Sequence, residues 1–194
     1  SGDGKTWETA FTYQQVADLV AANRSVVSGV NGTNTDIAGT GFTPTGMTAD
    51  AYRQLHNTEH AAQVNGVTFH FAAGTYSSAA YVRISYPERG EAVKISFKGG
   101  YPATSKGTDL NNRDSETNIT TIDGQSKRRL FFPRYYVDLA FDGITFANGK
   151  VNTGGGAFLF NESQTSSLTF RNCKFTNNVT TNNGSTKYSG GAIL

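Results

Sequence analysis

Two copies of one pattern decide the fold: LAFDGITFANG at Leu139–Gly149 and LTFRNCKFTNN at Leu168–Asn178. The residues that match between the copies keep one constant separation along the chain. A fixed repeat of this kind predicts structural units that stack on one another. The matching pairs are Leu139 and Leu168, Phe141 and Phe170, Ile144 and Cys173, Phe146 and Phe175, and Asn148 and Asn177.

Each copy consists of two short alternating segments that are joined by a bend, at Asp142–Gly143 and at Arg171–Asn172. A second pattern also occurs twice, as GGGAFLF at 154–160 and as SGGAIL at 189–194. Alternation with period two indicates β-strands. The consensus residues of leucine-rich repeats are missing, and a WD40 blade needs about 40 residues and four strands. The pattern therefore predicts an all-β solenoid, with β-helix coils over residues 64–194.

In such a solenoid, equivalent side chains of neighbouring coils lie over each other. We expect Phe141 to stack on Phe170, Phe146 to stack on Phe175, and Cys173 to occupy a core position equivalent to that of Ile144. Burial of these ladders stabilises the fold by roughly 25 cal/mol per Å² of apolar surface. The two asparagines of the repeat are expected at stacked turns, because Asn tolerates the left-handed conformation.

The chain is interpreted as a single β-helix domain over residues 1–194, truncated at its C-terminus. Residues 7–23 are expected to cap the first coil, and a helix is predicted at 13–22. Trp7, Val16, Leu19 and Val20 are expected to lie over the first coil. Residues 25–63 are interpreted as an insertion that contains a second helix at 48–63.

Charge argues against a nucleic-acid partner, and hydropathy argues against a membrane span. Only 16% of the residues are charged and the formal net charge is +2, which provides no electrostatic footprint for nucleic acid. No apolar run approaches the length that is needed to span a membrane.

The motifs resemble those of a known superfamily. GGAI at 190–193 and FTNN at 175–178 resemble the GGA[I/L/V] and FxxN repeats of chlamydial polymorphic outer membrane proteins. WETAFTYQQVADLVAA, FHFAAGTY and VKISFKGGYP resemble the opening coils of secreted bacterial β-helix proteins of the pectate-lyase-like superfamily. The resemblance implies a right-handed parallel β-helix and an extracellular or outer cell surface location in a bacterium.

The resemblance leaves the function open, because this superfamily contains both enzymes and adhesins. The Gly-His-Gly motif of related hydrolases is absent. Lyases of this fold use a Lys or Arg base near calcium-binding carboxylates. The residues that qualify for such a face here are Arg113, Asp114, Asp123, Arg128, Arg129, Arg134, Asp138 and Asp142. Asp123 is more simply interpreted as the start of an Asp-Gly turn.

A sugar-binding groove is the more specific of two interpretations of one arginine- and tyrosine-rich segment. Its residues are Arg128, Arg129, Arg134, Tyr135 and Tyr136. Guanidinium groups pair with carboxylates and tyrosines stack on sugars, whereas the simpler alternative is a solvated outer face. His56 and His60 have helical spacing, but no third ligand is evident, so no metal site is predicted.

The sequence favours a non-catalytic secreted or cell-surface module that is adhesin-like or contacts carbohydrate. Its expected partner is a polysaccharide or a host glycan, with no catalytic residue and no cofactor. The alternative is the N-terminal part of a β-helix polysaccharide lyase or glycosidase that acts on acidic polysaccharide, and calcium enters only under that alternative.

Overall fold

The computed structural model describes residues 4–20, 64–84, 86, 91–160, 166–181 and 190–194. The predicted insertion at 25–63, with its second helix and with His56 and His60, lies outside the described residues. So do the last residues of the predicted cap. The single-domain interpretation of the whole chain stays a prediction.

The described chain is mostly short β-strands with one short helix, α1 at Tyr13–Val20. The first six strands are β1 Val67–Ala72, β2 Gly74–Tyr76, β3 Val82–Ile84, β4 Val93–Tyr101, β5 Thr120–Asp123 and β6 Phe131–Pro133. The next six are β7 Val137–Asp142, β8 Thr145–Ala147, β9 Lys150–Val151, β10 Ser167–Arg171, β11 Lys174–Thr176 and β12 Val179–Thr180.

All of the described strand pairs are parallel, and the same sheets are visited in the same order along the chain. One sheet has the order β1-β4-β7-β10 and another has the order β2-β5-β8-β11, while β3 pairs with β6 and β9 pairs with β12. Phe158 bridges Phe131 on one side and Ile193 on the other, which extends the β3–β6 sheet. This order follows from the repeat, because each unit contributes one strand to each of the two four-stranded sheets.

The predicted stacking of the two sequence copies is confirmed. Phe141 pairs with Phe170 and Phe146 with Phe175 in parallel register, with ring centroids 5.5 and 5.1 Å apart. Cys173 is half-buried against the core, and burial raises the pKa of its thiol. It therefore behaves as the small core residue that the repeat predicts.

The phenylalanine ladder continues past the two copies that the sequence reveals. Phe97 stacks on Phe141 at 4.9 Å and Phe69 stacks on Phe97 at 5.6 Å, with their strands in register. In the second circuit the segment 102–119 separates β4 from β5, so the spacing there departs from that of the two copies. The longer connection conceals the earlier repeats in the sequence although the strands stack in the same way.

The predicted asparagine turns are present. Asn148 and Asn177 adopt φ angles of 53° and 54°, in the left-handed region that Asn tolerates. Asn178 adds bonds between neighbouring turns: its Oδ1 accepts from the Gly149 amide at 2.8 Å, and its Nδ2 donates to the Phe146 carbonyl at 2.8 Å. The Asn178 side chain thereby satisfies the Gly149 amide and the Phe146 carbonyl at this corner of the repeat.

Helix α1 begins where the sequence predicts, because Thr12 and Gln15 form a capping box. The Gln15 side chain accepts from the Thr12 amide at 2.8 Å and the Thr12 hydroxyl accepts from the Gln15 amide at 3.2 Å. Val16 and Val20 are buried as expected of a cap. Trp7 instead packs against Tyr101, with ring centroids 5.5 Å apart, and its Nε1 donates to the Asp109 carbonyl at 2.6 Å.

Candidate functional site: an arginine cluster around Phe132

The candidate site lies on the outer face of the β3–β6 sheet. Val82, Ile84, Phe131 and Pro133 are buried, so the alternation of the strands turns Arg83 and Phe132 outward, opposite each other in register. The Phe132 ring faces outward but is half-buried, because cationic side chains shield it from solvent.

Three guanidinium groups surround the Phe132 ring. Their carbon atoms lie 6.0 Å (Arg83), 5.6 Å (Arg129) and 5.4 Å (Arg134) from the ring centroid, within range for cation–π attraction. Arg134 also lies 4.9 Å from the Tyr135 ring and donates to its hydroxyl at 3.2 Å. Tyr81 also packs on Phe132, at 6.1 Å between ring centroids. We call Arg83, Arg129, Arg134, Phe132, Tyr81 and Tyr135 the arginine cluster.

Arg129 is the fixed member of the arginine cluster. Its Nε donates to the Gly155 carbonyl at 2.9 Å, and its Nη2 donates to the Gly154 carbonyl at 2.8 Å and to the Thr153 hydroxyl at 3.2 Å. Burial lowers the pKa of this guanidinium, and Tyr81 acts in the opposite direction. Arginine remains charged in proteins, so Arg129 holds a positive charge in one fixed orientation within the arginine cluster.

Replacement of Arg129 by methionine is expected to destabilise the fold by about 2 kcal/mol, because it leaves the two carbonyls without their charged donor. The matched control is Arg128→Met, since Arg128 is half-buried and the described hydrogen bond of its side chain runs from Nη1 to the Ser78 carbonyl. Urea denaturation of both variants measures the difference. Equal losses would mean that the Arg129 bonds contribute nothing particular.

The structure gathers three of the five predicted groove residues and separates the other two. Arg129, Arg134 and Tyr135 belong to the arginine cluster. Arg128 binds the Ser78 carbonyl, and Tyr136 is half-buried against the core with a φ of 53°. Arg83, Tyr81 and Phe132 also belong to the cluster but were not predicted, because only the register of β3 on β6 brings them to it.

The residues of the predicted lyase face do not form one site among the described residues. Arg113 pairs with Asp142 at 3.0 Å, and its Nε donates to the Gly99 carbonyl at 2.8 Å, so it ties the 102–119 segment to the sheet. Asp123 accepts from the Gln125 amide at 2.7 Å, which is the turn that the sequence predicts. Asp138 accepts from the Ser167 hydroxyl at 2.8 Å.

Asp114 is a loop residue in the same segment. Its carboxylate accepts from the Thr117 hydroxyl at 2.8 Å and from the Glu116 amide at 2.9 Å. These bonds, of which the Thr117 bond has the larger effect, lower the pKa of the carboxyl group. The described hydrogen bonds of its carboxylate are those of a turn.

No group of three or more His, Cys, Asp or Glu side chains in the described part of the chain has an arrangement that fits a metal ion. The helix in the described ranges is too short to cross a membrane.

Comparison of the chain with protein-family models, with curated proteins and with solved structures found no match.

Proposed function

We propose that the chain winds as a right-handed parallel β-helix and acts as a non-catalytic module at a bacterial cell surface, where it contacts acidic polysaccharide. The parallel strands, their repeated sheet order and the phenylalanine ladder support the architecture. The surface location and the glycan partner rest on the motif resemblance. The arginine cluster is the observation that carries the binding function.

The chemistry of the arginine cluster favours a ligand with planar anionic groups. A guanidinium group pairs with a carboxylate through two parallel hydrogen bonds, and aromatic rings stack against the apolar faces of sugars. Arg129 is fixed by its backbone bonds, so one cation of the site does not lose side-chain freedom when a ligand binds. Tyr81 and Tyr135, which flank the guanidinium groups, provide aromatic surface for a sugar ring.

The test measures binding of the full chain to polygalacturonate, with uncharged dextran as the neutral comparison. Replacement of both Arg83 and Arg134 by glutamine is expected to weaken polygalacturonate binding at least tenfold, because it removes two of the three cations. Arg129 is retained in this variant because of its bonds to the backbone. Thermal melting confirms that the double variant is folded.

The matched control removes the same charge from another surface. Lys94 and Lys98 are exposed on β4, and their replacement by glutamine is expected to change binding by less than twofold. Equal losses in both double variants would reduce the interaction to net charge and would contradict a specific site.

The lyase or glycosidase alternative is tested in the same mixtures. Unsaturated uronates are detected by their ultraviolet absorption, and new reducing ends are detected chemically. Release of either product by the purified chain would overturn the non-catalytic part of the proposal.

A further inference from the structure

Tyr101, the last residue of β4, connects β1 to the segment before α1. Its hydroxyl and the Nδ1 atom of His70 on β1 form a hydrogen bond of 2.8 Å, and the two rings meet edge-on with centroids 5.1 Å apart. The Trp7 ring also packs against Tyr101, at 5.5 Å between ring centroids. Tyr101 is 4% exposed, whereas His70 and Trp7 are half-buried. We call His70, Tyr101 and Trp7 the aromatic latch.

Trp7 and Glu8 hold the segment 4–11 against the 102–110 loop. Trp7 donates from Nε1 to the Asp109 carbonyl at 2.6 Å and from its amide to the Gly107 carbonyl at 2.9 Å. The Glu8 carboxylate accepts from the Gly107 amide at 3.0 Å. Because the loop follows Tyr101 directly along the chain, a change at Tyr101 reaches the segment 4–11 through Trp7.

Helix α1 is anchored independently of the aromatic latch. Tyr13 packs against Phe71 and Tyr76, with ring centroids 6.1 and 6.3 Å apart, and Phe71 is 5% exposed. The helix leaves Phe69 half-buried. It can therefore stay on β1 when Trp7 leaves Tyr101.

The charged residues that the packed elements bring to the surroundings of His70 are mostly cations. They are Lys5 on the segment 4–11, Lys98 on β4, Arg113 on the 102–119 segment, Asp142 on β7 and Arg171 on β10. The carboxylate of Asp142 already pairs with Arg113 at 3.0 Å. Lys98 lies beside His70 in register, so protonation of His70 places a second positive charge next to Lys98.

The hydrogen bond of the aromatic latch fits a neutral His70. A neutral ring with its proton on Nε2 accepts from the Tyr101 hydroxyl at Nδ1, whereas both nitrogens of a protonated ring donate. Protonation therefore removes the acceptor of this hydroxyl, and no other group among the described residues hydrogen-bonds to it. Burial, followed by the charges of Lys98 and Arg113, lowers the pKa of His70 from its ordinary value.

We propose that the aromatic latch is an acid-sensitive switch, in which neutral His70 holds Tyr101 and Trp7 together and protonation of His70 releases the segment 4–11. His70 binds a proton more weakly in the latched form than in the released form. The latch is therefore at full strength above about pH 6.5 and weakens as the pH falls through the lowered pKa of His70. The aromatic latch is separate from the arginine cluster, and the inference does not depend on the proposed glycan.

Fluorescence reports the release directly, because Trp7 is the single tryptophan of the chain. Its emission maximum is expected to move to longer wavelength between about pH 7.5 and about pH 5, with a midpoint below about 6.5. The far-ultraviolet circular dichroism is expected to stay constant over this range, since α1 and the sheets remain in place. An unchanged emission maximum would overturn the proposal, as would a loss of dichroism with the same midpoint.

Substitution of the histidines assigns the transition. His70→Gln keeps an acceptor for the Tyr101 hydroxyl and cannot be protonated, so it is expected to retain the emission at neutral pH and to lose the acid transition. The matched control replaces the other two histidines together, His56→Gln with His60→Gln, and is expected to keep the transition. Retention in His70→Gln, or loss in the control, would assign the transition to other groups and would overturn the proposal.

Nuclear magnetic resonance of the natural chain measures the protonation itself, without reliance on a variant. The His70 ring is expected to titrate below about pH 6.5, and the Trp7 indole N–H is expected to shift with the same midpoint. Lys98→Gln removes one neighbouring cation and is expected to raise the proton affinity of His70 about twofold. Titration of His70 at or above its ordinary value, separate midpoints for the two rings, or an unchanged midpoint in Lys98→Gln would contradict the switch.

Discussion

Truncation of Phe141 to alanine is expected to destabilise the protein by about 4 kcal/mol, since phenylalanine deletions in cores cost about 3–5 kcal/mol. Phe141 is 1% exposed and lies at the centre of the aromatic core. It stacks between Phe97 and Phe170, and three further rings pack edge-on at 5.2 to 5.3 Å (Phe131, Phe146 and Phe158). The paired strands hold these rings in register, so they cannot collapse into the space that the truncation leaves.

The control for this prediction is Phe170→Ala, one strand further along the same ladder. Phe170 is half-buried, and its deletion is expected to cost about 1–2 kcal/mol because less apolar surface is lost from the core. Urea denaturation of both variants gives the two free energies of unfolding. If Phe141→Ala costs no more than Phe170→Ala, the ladder is not the main source of stability.

Replacement of Gly149 by alanine is expected to cost about 3 kcal/mol, at the upper end of the range for overpacked sites. An added Cβ would overlap the carbonyl of Gly156 and would approach the side chain of Asn178. Both neighbours are held in place, because the Asn178 side chain accepts from the Gly149 amide at 2.8 Å and the Gly156 amide donates to the Gly191 carbonyl at 2.7 Å. The loss therefore arises from a close approach of three chain segments at this corner.

Gly107→Ala separates this steric effect from the conformational freedom of glycine. Gly107 has a φ of +57° and open space where its Cβ would be. Its replacement is expected to cost only about 1 kcal/mol, which is the penalty of a left-handed alanine. Thermal melting measures both variants, and a Gly149→Ala variant as stable as Gly107→Ala would contradict the close approach.

The sequence repeat predicted the phenylalanine stacking, but the sequence predicted only some members of the arginine cluster. Both outcomes have one cause. Phe141 and Phe170 occupy equivalent positions in consecutive units, so the constant separation of the two copies places them together without further information. Arg83 and Phe132 also lie opposite each other, but their separation along the chain is much longer because the 102–119 segment lies between them. No local pattern predicts that register.

Arg128 and Arg129 show a second limit, since they are adjacent in the sequence and have different surroundings. Arg129 reaches the carbonyls of the 154–155 turn and the Phe132 ring, whereas Arg128 reaches Ser78 between β2 and β3. The direction of each side chain depends on which carbonyls the neighbouring segments place within reach. Composition indicated a cationic segment but did not separate its structural members from its surface members.

The sequence alone determined that short parallel strands stack with phenylalanine over phenylalanine, because period-two alternation and a fixed repeat length are local properties that translate directly into register. The helical spacing of Val16, Leu19 and Val20 also predicted the start of α1 at Tyr13. Only the tertiary structure decided that Arg83, Arg129 and Arg134 meet on Phe132 and that α1 covers Phe71 but not Phe69. Those contacts join segments of unequal spacing, and their positions depend on how the longer connections return the chain to the sheets.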